Sequence, residues 1–159
     1  MSRSGSYRVQ DYMRSPVVTL HPEANLEEAV NMMVEKKTNG VVVTDAEGHV
    51  AGILSGWDII QHIVPDYLEE DKHLADFEAG IVFEKRVAQL ANDPISKFMT
   101  HDVHTVQAQS SLMSAATVLS EFRIRQLPVV DENGMLVGYL NRTDIKKAIH
   151  DALCNTGNC

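Results

Sequence analysis

Apolar and polar positions along the chain follow one order of rhythms, and that order occurs twice. Val17–Leu20 is a short β-branched stretch that ends at His21-Pro22. Leu26, Ala29, Val30, Met33 and Val34 then sit at i, i+3, i+4, i+7 and i+8, one face of a helix. Asn25 followed by Glu28 has the form of an N-terminal capping box for that helix. Val41–Thr44 reads as a buried strand, Asp45-Ala46-Glu47-Gly48 as a turn, and Val50–Leu54 as a second strand. Asp58 to Val64 reads as a final helix, stopped by Pro65. Further along, Leu112, Ala115, Ala116 and Leu119 repeat the first helix face. Leu127–Val130 and Leu136–Leu140 repeat the two strands, joined by a turn containing Asn133-Gly134.

A shift of 86 positions lays Val9–Ile63 on Ile95–Ile149 without a gap, and about 14 of 55 positions are identical. Met13 falls on Met99, Val17 on Val103, Thr19 on Thr105, Gly52 on Gly138, and Asp58-Ile59 on Asp144-Ile145. Each unit has the order strand, helix, strand, strand, helix. One such unit cannot cover both faces of its small sheet, whereas two packed together can. The predicted organisation is a leader (1–8), a first repeat (9–64), an insert (65–94), a second repeat (95–150) and a flexible tail (151–159). The fold class is α/β (α+β): two βαββα units with a helical insert between them.

Charge sharpens this picture. The 159 residues carry a net charge of −8. The segment Val64–Pro94 holds eight acidic and three basic residues, while the second repeat with its tail sums to zero. The acidity that disfavours anionic ligands is therefore concentrated outside the second repeat. Leu68, Leu74, Phe77, Ile81, Val82, Val87 and Leu90 give the insert enough apolar positions for one or two packed helices. The overall balance argues against a nucleic-acid binder, although Arg123, Arg125, Arg142, Lys146 and Lys147 are the basic residues such a role would use. No apolar run approaches a membrane span. The polar start, Met1 to Ser6, has no signal-peptide core, so the expected location is cytoplasmic. Cys154 and Cys159 could close only the tail. In its Gly/Asn setting this pair predicts a reduced, disordered end and no metal site. His101 and His104 are spaced poorly for a metal, and the methionines, including Met32, Met33 and Met113, read as core or interface filler. No Walker A loop, GxGxxG or Ser/His/Asp nucleophile motif occurs, so the chain is expected not to be an enzyme.

The chemistry lies where the second strand of each repeat meets its final helix. Gly52-Ile-Leu-Ser55-Gly-Trp-Asp58 and Gly138-Tyr-Leu-Asn141-Arg-Thr-Asp144 occupy the same place. Ser55-x-x-Asp58 is first a capping box, and helix stabilisation alone accounts for both residues. A second reading adds to it. A carboxylate there can accept hydrogen bonds from both hydroxyls of a ribose, while the opening amides and the Ser55 hydroxyl face a phosphate. Gly52 admits close backbone approach or relieves crowding in its strand. Trp57, at the start of the helix, stacks on a ligand or partner or shields the helix end.

Together with Met13…Val17-Val-Thr19, Met99…Val103-His-Thr105 and Leu127-Pro-Val-Val-Asp131, these motifs resemble the CBS domain, and the tandem pair resembles a Bateman module. The resemblance implies pseudo-twofold symmetry and a cleft on each side that commonly takes adenosine-containing ligands. Carried across, it implies a first site of Ile53, Ser55, Asp58, Val103, His104, Ile124 and Arg125. It implies a second of Val17, Val18, Thr38, Asn39, Tyr139, Asn141, Arg142, Thr143 and Asp144. The apolar members would sandwich an adenine, with adjacent backbone reading its edge. Arg125, near Arg123, would neutralise phosphate at site one. Asn141 departs from the usual Ser or Thr. It still caps a helix but lacks the phosphate-facing hydroxyl, for which Thr143 is the substitute, with Arg142 and Lys36 or Lys37 as sources of charge. The implied function is a regulatory module that binds AMP or ATP, with or without magnesium, acts on an unnamed protein target, and pairs as a homodimer. The alternatives are a ligand-free dimerisation scaffold, or a module for another adenosyl ligand such as S-adenosylmethionine or NAD(H).

Overall fold

The structure is a computed structural model that describes residues 7–67, 73 and 80–159. In chain order its elements are α1 (Val9–Tyr12), β1 (Thr19–Leu20), α2 (Leu26–Lys36), β2 (Gly40–Thr44), β3 (Val50–Ser55), α3 (Gly56–Ile63), α4 (Gly80–Leu90), a 3-10 turn (Ile95–Lys97), β4 (Val106–Gln107), α5 (Leu112–Glu121), β5 (Gln126–Val130), β6 (Leu136–Asn141) and α6 (Arg142–Asn155). They divide into two compact units. One comprises the described residues of 19–46 and 51–103, the other those of 7–18, 47–50 and 104–159. Each unit therefore takes in the segment that leads into the other repeat.

The first of these units holds a three-stranded sheet in the order β1-β2-β3. The parallel pair β1 and β2 sets Thr19 against Val42 and Leu20 against Val43. All five residues of β2 are buried, as its continuous apolar run predicts. The expected strand Val17–Leu20 shortens to Thr19–Leu20. On α2 the buried stripe is Leu26, Ala29 and Met33, whereas Val30 is 37% and Val34 73% exposed. The stripe is thus narrower than the apolar period suggests. The Asn25 side chain caps this helix by accepting from the Glu28 N–H at 2.9 Å.

The insert contributes α4, whose Arg86 donates to the His62 and Ile63 carbonyls at the end of α3, at 2.9 and 3.3 Å. A guanidinium at a helix C-terminus satisfies carbonyls that have no intrahelical donor. The chain after α4 is tied to the start of α2 through Leu26 N–H to Asp93 O and Glu27 N–H to Ala91 O. Leu68, Leu74, Phe77 and the Ile81 side chain, expected to help pack the insert, lie outside the described residues, as do Met1 to Ser6.

The second unit repeats the plan with the order β4-β5-β6. Parallel β4 and β5 pair Val106 with Val129, and antiparallel β5 and β6 pair Leu127 with Leu140, with a register shift between Val129 and Val130. Its core joins Val106, Leu112, Ala115, Leu119, Leu127, Val129, Leu140 and Ala148 to Val9, which α1 brings in with no exposed surface. The tail expected to be flexible instead continues α6 to Asn155 and ends in a capped turn.

The 86-residue repeat is also visible in backbone detail. Lys37 and Arg123, which correspond, both take left-handed φ values near 50° just past their helices. Thr38 N–H reaches Met33 O, and Ile124 N–H reaches Leu119 O, closing each helix in the same way. A Cβ on Gly52 would lie 2.6 Å from the Met99 sulfur and 2.9 Å from the Thr100 carbonyl. On Gly138 it would overlap the Met13 sulfur. Of the two roles open to Gly52, relief of crowding is the one with a visible cause. Each glycine makes room for the methionine of the segment paired beside its strand.

Candidate functional site

At the junction of β3 and α3, Ser55 is the extended N-cap residue. Its hydroxyl accepts from the Asp58 N–H at 3.3 Å and donates to Asp58 Oδ2 at 2.8 Å, and its own N–H donates to the same oxygen at 2.8 Å. The capping box is complete. Among the described residues Asp58 Oδ1 accepts no hydrogen bond, and the side chain is half-buried. The carboxylate is therefore fixed through one oxygen and leaves the other to accept. The Ser55 proton is already engaged, so a phosphate would compete with Asp58 for it. Ile53 exchanges both backbone bonds with Thr100, at 3.0 and 2.8 Å, so only its side chain is left for a ligand. Val103 is half-buried in the same unit and Trp57 is 65% exposed.

The other residues expected at site one belong to the second unit. His104 stacks on Phe122 with ring centroids 3.7 Å apart and planes 20° from parallel. Phe122 is the C-cap of α5, so His104 is drawn to the helix end that leads into half-buried Ile124 and exposed Arg125. Sequence reasoning missed Phe122. The repeat offers no signal for it, because lysine stands at the matching position 36.

The corresponding junction of β6 and α6 looks alike but is chemically different. Asn141 caps the helix by accepting from the Thr143 and Asp144 N–H groups at 2.9 and 3.2 Å, and its own N–H donates to Asp144 Oδ2 at 2.9 Å. Asp144 Oδ1, however, accepts from Arg14 Nε at 2.9 Å, with the carboxylate side chain 9% exposed. Arg14 reaches it by pairing its backbone with Tyr139 at 2.8 and 3.0 Å. Thr100 pairs with Ile53 in the same way, and 86 positions separate the two pairing residues. An arginine thus stands where site one has a threonine. It was missed in the sequence, although the alignment sets Arg14 against Thr100 in plain view.

Arg142 and Thr143 are exposed, and Val17 and Val18 half-buried, in this unit. Thr38 and Asn39, expected to complete site two, belong to the other unit. There the Thr38 hydroxyl donates to Gly40 O at 2.9 Å and the Asn39 carbonyl accepts from the Gly56 N–H at 3.0 Å.

Burial pushes the Tyr139 hydroxyl up to about 12, opposed by Arg14 and reinforced by Asp144. Tyr12 is also pushed up to about 12, by burial and by the hydrogen bond it donates to Asp151 at 2.9 Å. The folded state holds these protons more tightly than the unfolded chain, so stability is fully present below pH 10 and declines as pH rises towards about 12. Ultraviolet titration should find two of the four tyrosines ionising near pH 12, with unfolding over the same interval. Four tyrosines titrating together near pH 10 would contradict the burial of Tyr139.

The described residues contain no helix long and apolar enough to cross a membrane. CBSX2 of Arabidopsis thaliana, a chloroplastic CBS domain-containing protein, is 28% identical over 156 residues, which span 92% of this chain and 65% of that protein. The crystal structure of CBSX2 in complex with AMP is similar with a TM-score of 0.70 and 27% identity, covering 92% of this chain and 98% of that one. The CBS domain of a CBS domain-containing membrane protein from Sphaerobacter thermophilus has a TM-score of 0.72 at 26% identity, covering 89% and 87%. Homoserine O-acetyltransferase of Methanohalophilus mahii is 28% identical over 145 residues, 91% of this chain but only 25% of the enzyme. The chain spans about two thirds of the length of one of these curated relatives and a quarter of the other. The CBS domain model matches residues 9–65 and 95–151. With 114 of 159 residues matched in two copies, and with two sheets that repeat strand for strand, the chain belongs to the CBS-domain family.

Proposed function

We propose that this protein is a regulatory module that binds an adenosine nucleotide, AMP or ATP, through site one. The single observation that carries this reading is Asp58, held by the Ser55 capping box through Oδ2 with Oδ1 left to accept. That is the donor–acceptor arrangement a ribose diol needs. The AMP complex of the similar CBSX2 supports the ligand class. In this reading the Ile53 and Val103 side chains, in the same unit as Asp58, hold the base. Site two is silent towards ribose, because Arg14 already occupies the Asp144 carboxylate. Nucleotide binding shifts the protein between arrangements that present different surfaces to a protein target, through unequal affinity for the two. No bond is made or broken in the nucleotide, and the module works in the cytoplasm.

Calorimetric titration with AMP, ADP, ATP and S-adenosylmethionine, with and without magnesium, tests the reading. It expects saturable binding of an adenosine nucleotide at one per chain. Failure of all four to bind would overturn it. Preference for S-adenosylmethionine would keep the module and change its ligand. A ligand-free dimerisation scaffold is the second reading. It draws support from apolar side chains left exposed on several helices, among them Val34 at 73%, Ile60 at 53%, Met113 at 75% and Ile149 at 55%. These faces suit a homodimer under either reading.

A further inference from the structure

We propose that His150, Cys154 and Cys159 bind a thiophilic divalent cation of the zinc class when both cysteines are reduced. Nothing in this proposal depends on nucleotide binding. His150 and Cys154 are four residues apart on α6 and so share one face of it. Past Asn155 the chain reverses. Thr156 N–H reaches Ala152 O at 3.1 Å, Gly157 N–H reaches Cys154 O at 3.1 Å, and Asn158 N–H reaches Leu153 O at 3.0 Å. The reversal requires φ of 82° at position 157, which glycine supplies. It returns Cys159 to Cys154, with Cα atoms 4.5 Å apart and the two sulfurs in disulfide contact.

Both ring nitrogens of His150 lie 3.9 Å from the Cys154 sulfur, and the ligand atoms of all three residues fall within 4.8 Å of one another. A tetrahedral zinc with Zn–S near 2.3 Å and Zn–N near 2.1 Å spaces its ligand atoms about 3.5–3.8 Å apart. In the reduced protein, rotation of the Cys159 side chain opens the sulfur–sulfur contact to that spacing, and the other two ligands already stand near it. The set is two thiolates and an imidazole, which suits zinc or cadmium and not magnesium or calcium. It leaves a fourth position for water.

The surroundings favour the cation. Asp151 places a carboxylate oxygen 3.7 Å from His150 Nδ1, while its other oxygen accepts from the Tyr12 hydroxyl at 2.9 Å. A fixed negative charge beside Nδ1 favours the proton there and turns Nε2 into the ligand. His150 and Cys159 are exposed, so the entry is open. The disulfide form excludes the metal because the two sulfurs then share a bond.

The test uses the full chain, reduced by a phosphine without oxygen, titrated first with cadmium and then with zinc against a chromophoric chelator. The expected result is one equivalent of cadmium, seen as a thiolate-to-cadmium charge-transfer band. C154S and C159S should each lose the band or most of it. H150A should weaken binding by about tenfold or more. Oxidised glutathione converts the two protein thiols to the disulfide and is itself reduced to two glutathiones. Protein treated in this way should take up no metal. Circular dichroism of each variant separates loss of the site from loss of fold. Absence of uptake by the reduced chain, uptake unchanged in H150A, or uptake retained when both cysteines are serine would each overturn the proposal.

Discussion

Asp58→Asn should remove nucleotide binding from the protein while leaving it folded. The two hydrogen bonds that the carboxylate would accept from a ribose are charge-assisted, at about 1.5–3 kcal/mol each. Together they correspond to an affinity loss of about a hundredfold or more. Asparagine keeps an acceptor for the Ser55 N–H and remains an acceptable helix-start residue, so the change in stability should stay within about 1 kcal/mol. Calorimetry with AMP beside thermal denaturation reads both quantities. Unchanged affinity would sink the site-one assignment, and loss of affinity together with loss of fold would return Asp58 to a capping role alone.

Arg14→Thr should raise the number of nucleotides bound from one per chain to two. The substitution gives the second junction the residue that the first already carries, and it frees Asp144 Oδ1, which Arg14 now engages at 2.9 Å. Arg14 itself is 55% exposed, which screens the pair, but Asp144 is 9% exposed, so removing its partner should cost about 1–3 kcal/mol. The backbone bonds between residues 14 and 139 do not depend on the side chain. In the wild-type protein, Asp144→Asn should leave AMP stoichiometry untouched. A count that stays at one in Arg14→Thr, in a protein that still binds at site one, would place the block elsewhere. Asn141, which lacks the hydroxyl of Ser55, would then be the next residue to exchange.

The features that were legible in the sequence are those with a local cause. The two buried strands β2 and β5 follow from continuous apolar runs, and the capping residues Asn25, Ser55 and Asn141 stand where each helix starts. The leading strands were overestimated because β1 is two residues held by parallel pairing to β2, a contact the local pattern does not encode. The helix α1 is four residues long, too short for a period, and exists because Val9 is buried among β-sheet and helix residues more than ninety positions away. The breadth of α2 was overestimated because hydrophobic spacing does not say where the core stops, and Val34 lies beyond it. Arg14 was overlooked for the opposite reason. Nothing about an exposed arginine announces a buried carboxylate 130 residues downstream. The ordered end of the chain depends on a glycine turn whose partner carbonyls lie on the preceding helix.

The pairing of residue 14 with residue 139 bears on how the chain acquires its fold during synthesis. The unit built around β4, β5 and β6 needs Val9 in its core and Tyr12 on Asp151, so its first pieces leave the ribosome more than ninety residues before their partners. Those early residues must remain available and uncommitted while everything between them is made. Closing so long a loop slows folding more than it weakens the finished protein. The unit of residues 7–18, 47–50 and 104–159 is interrupted by the other along the chain and is not complete until its last helix is made, whereas all residues of the unit of 19–46 and 51–103 are present once residue 103 is added. A nascent chain released after the first repeat would lack the Thr100 partner of Ile53. It would expose that strand edge to other chains.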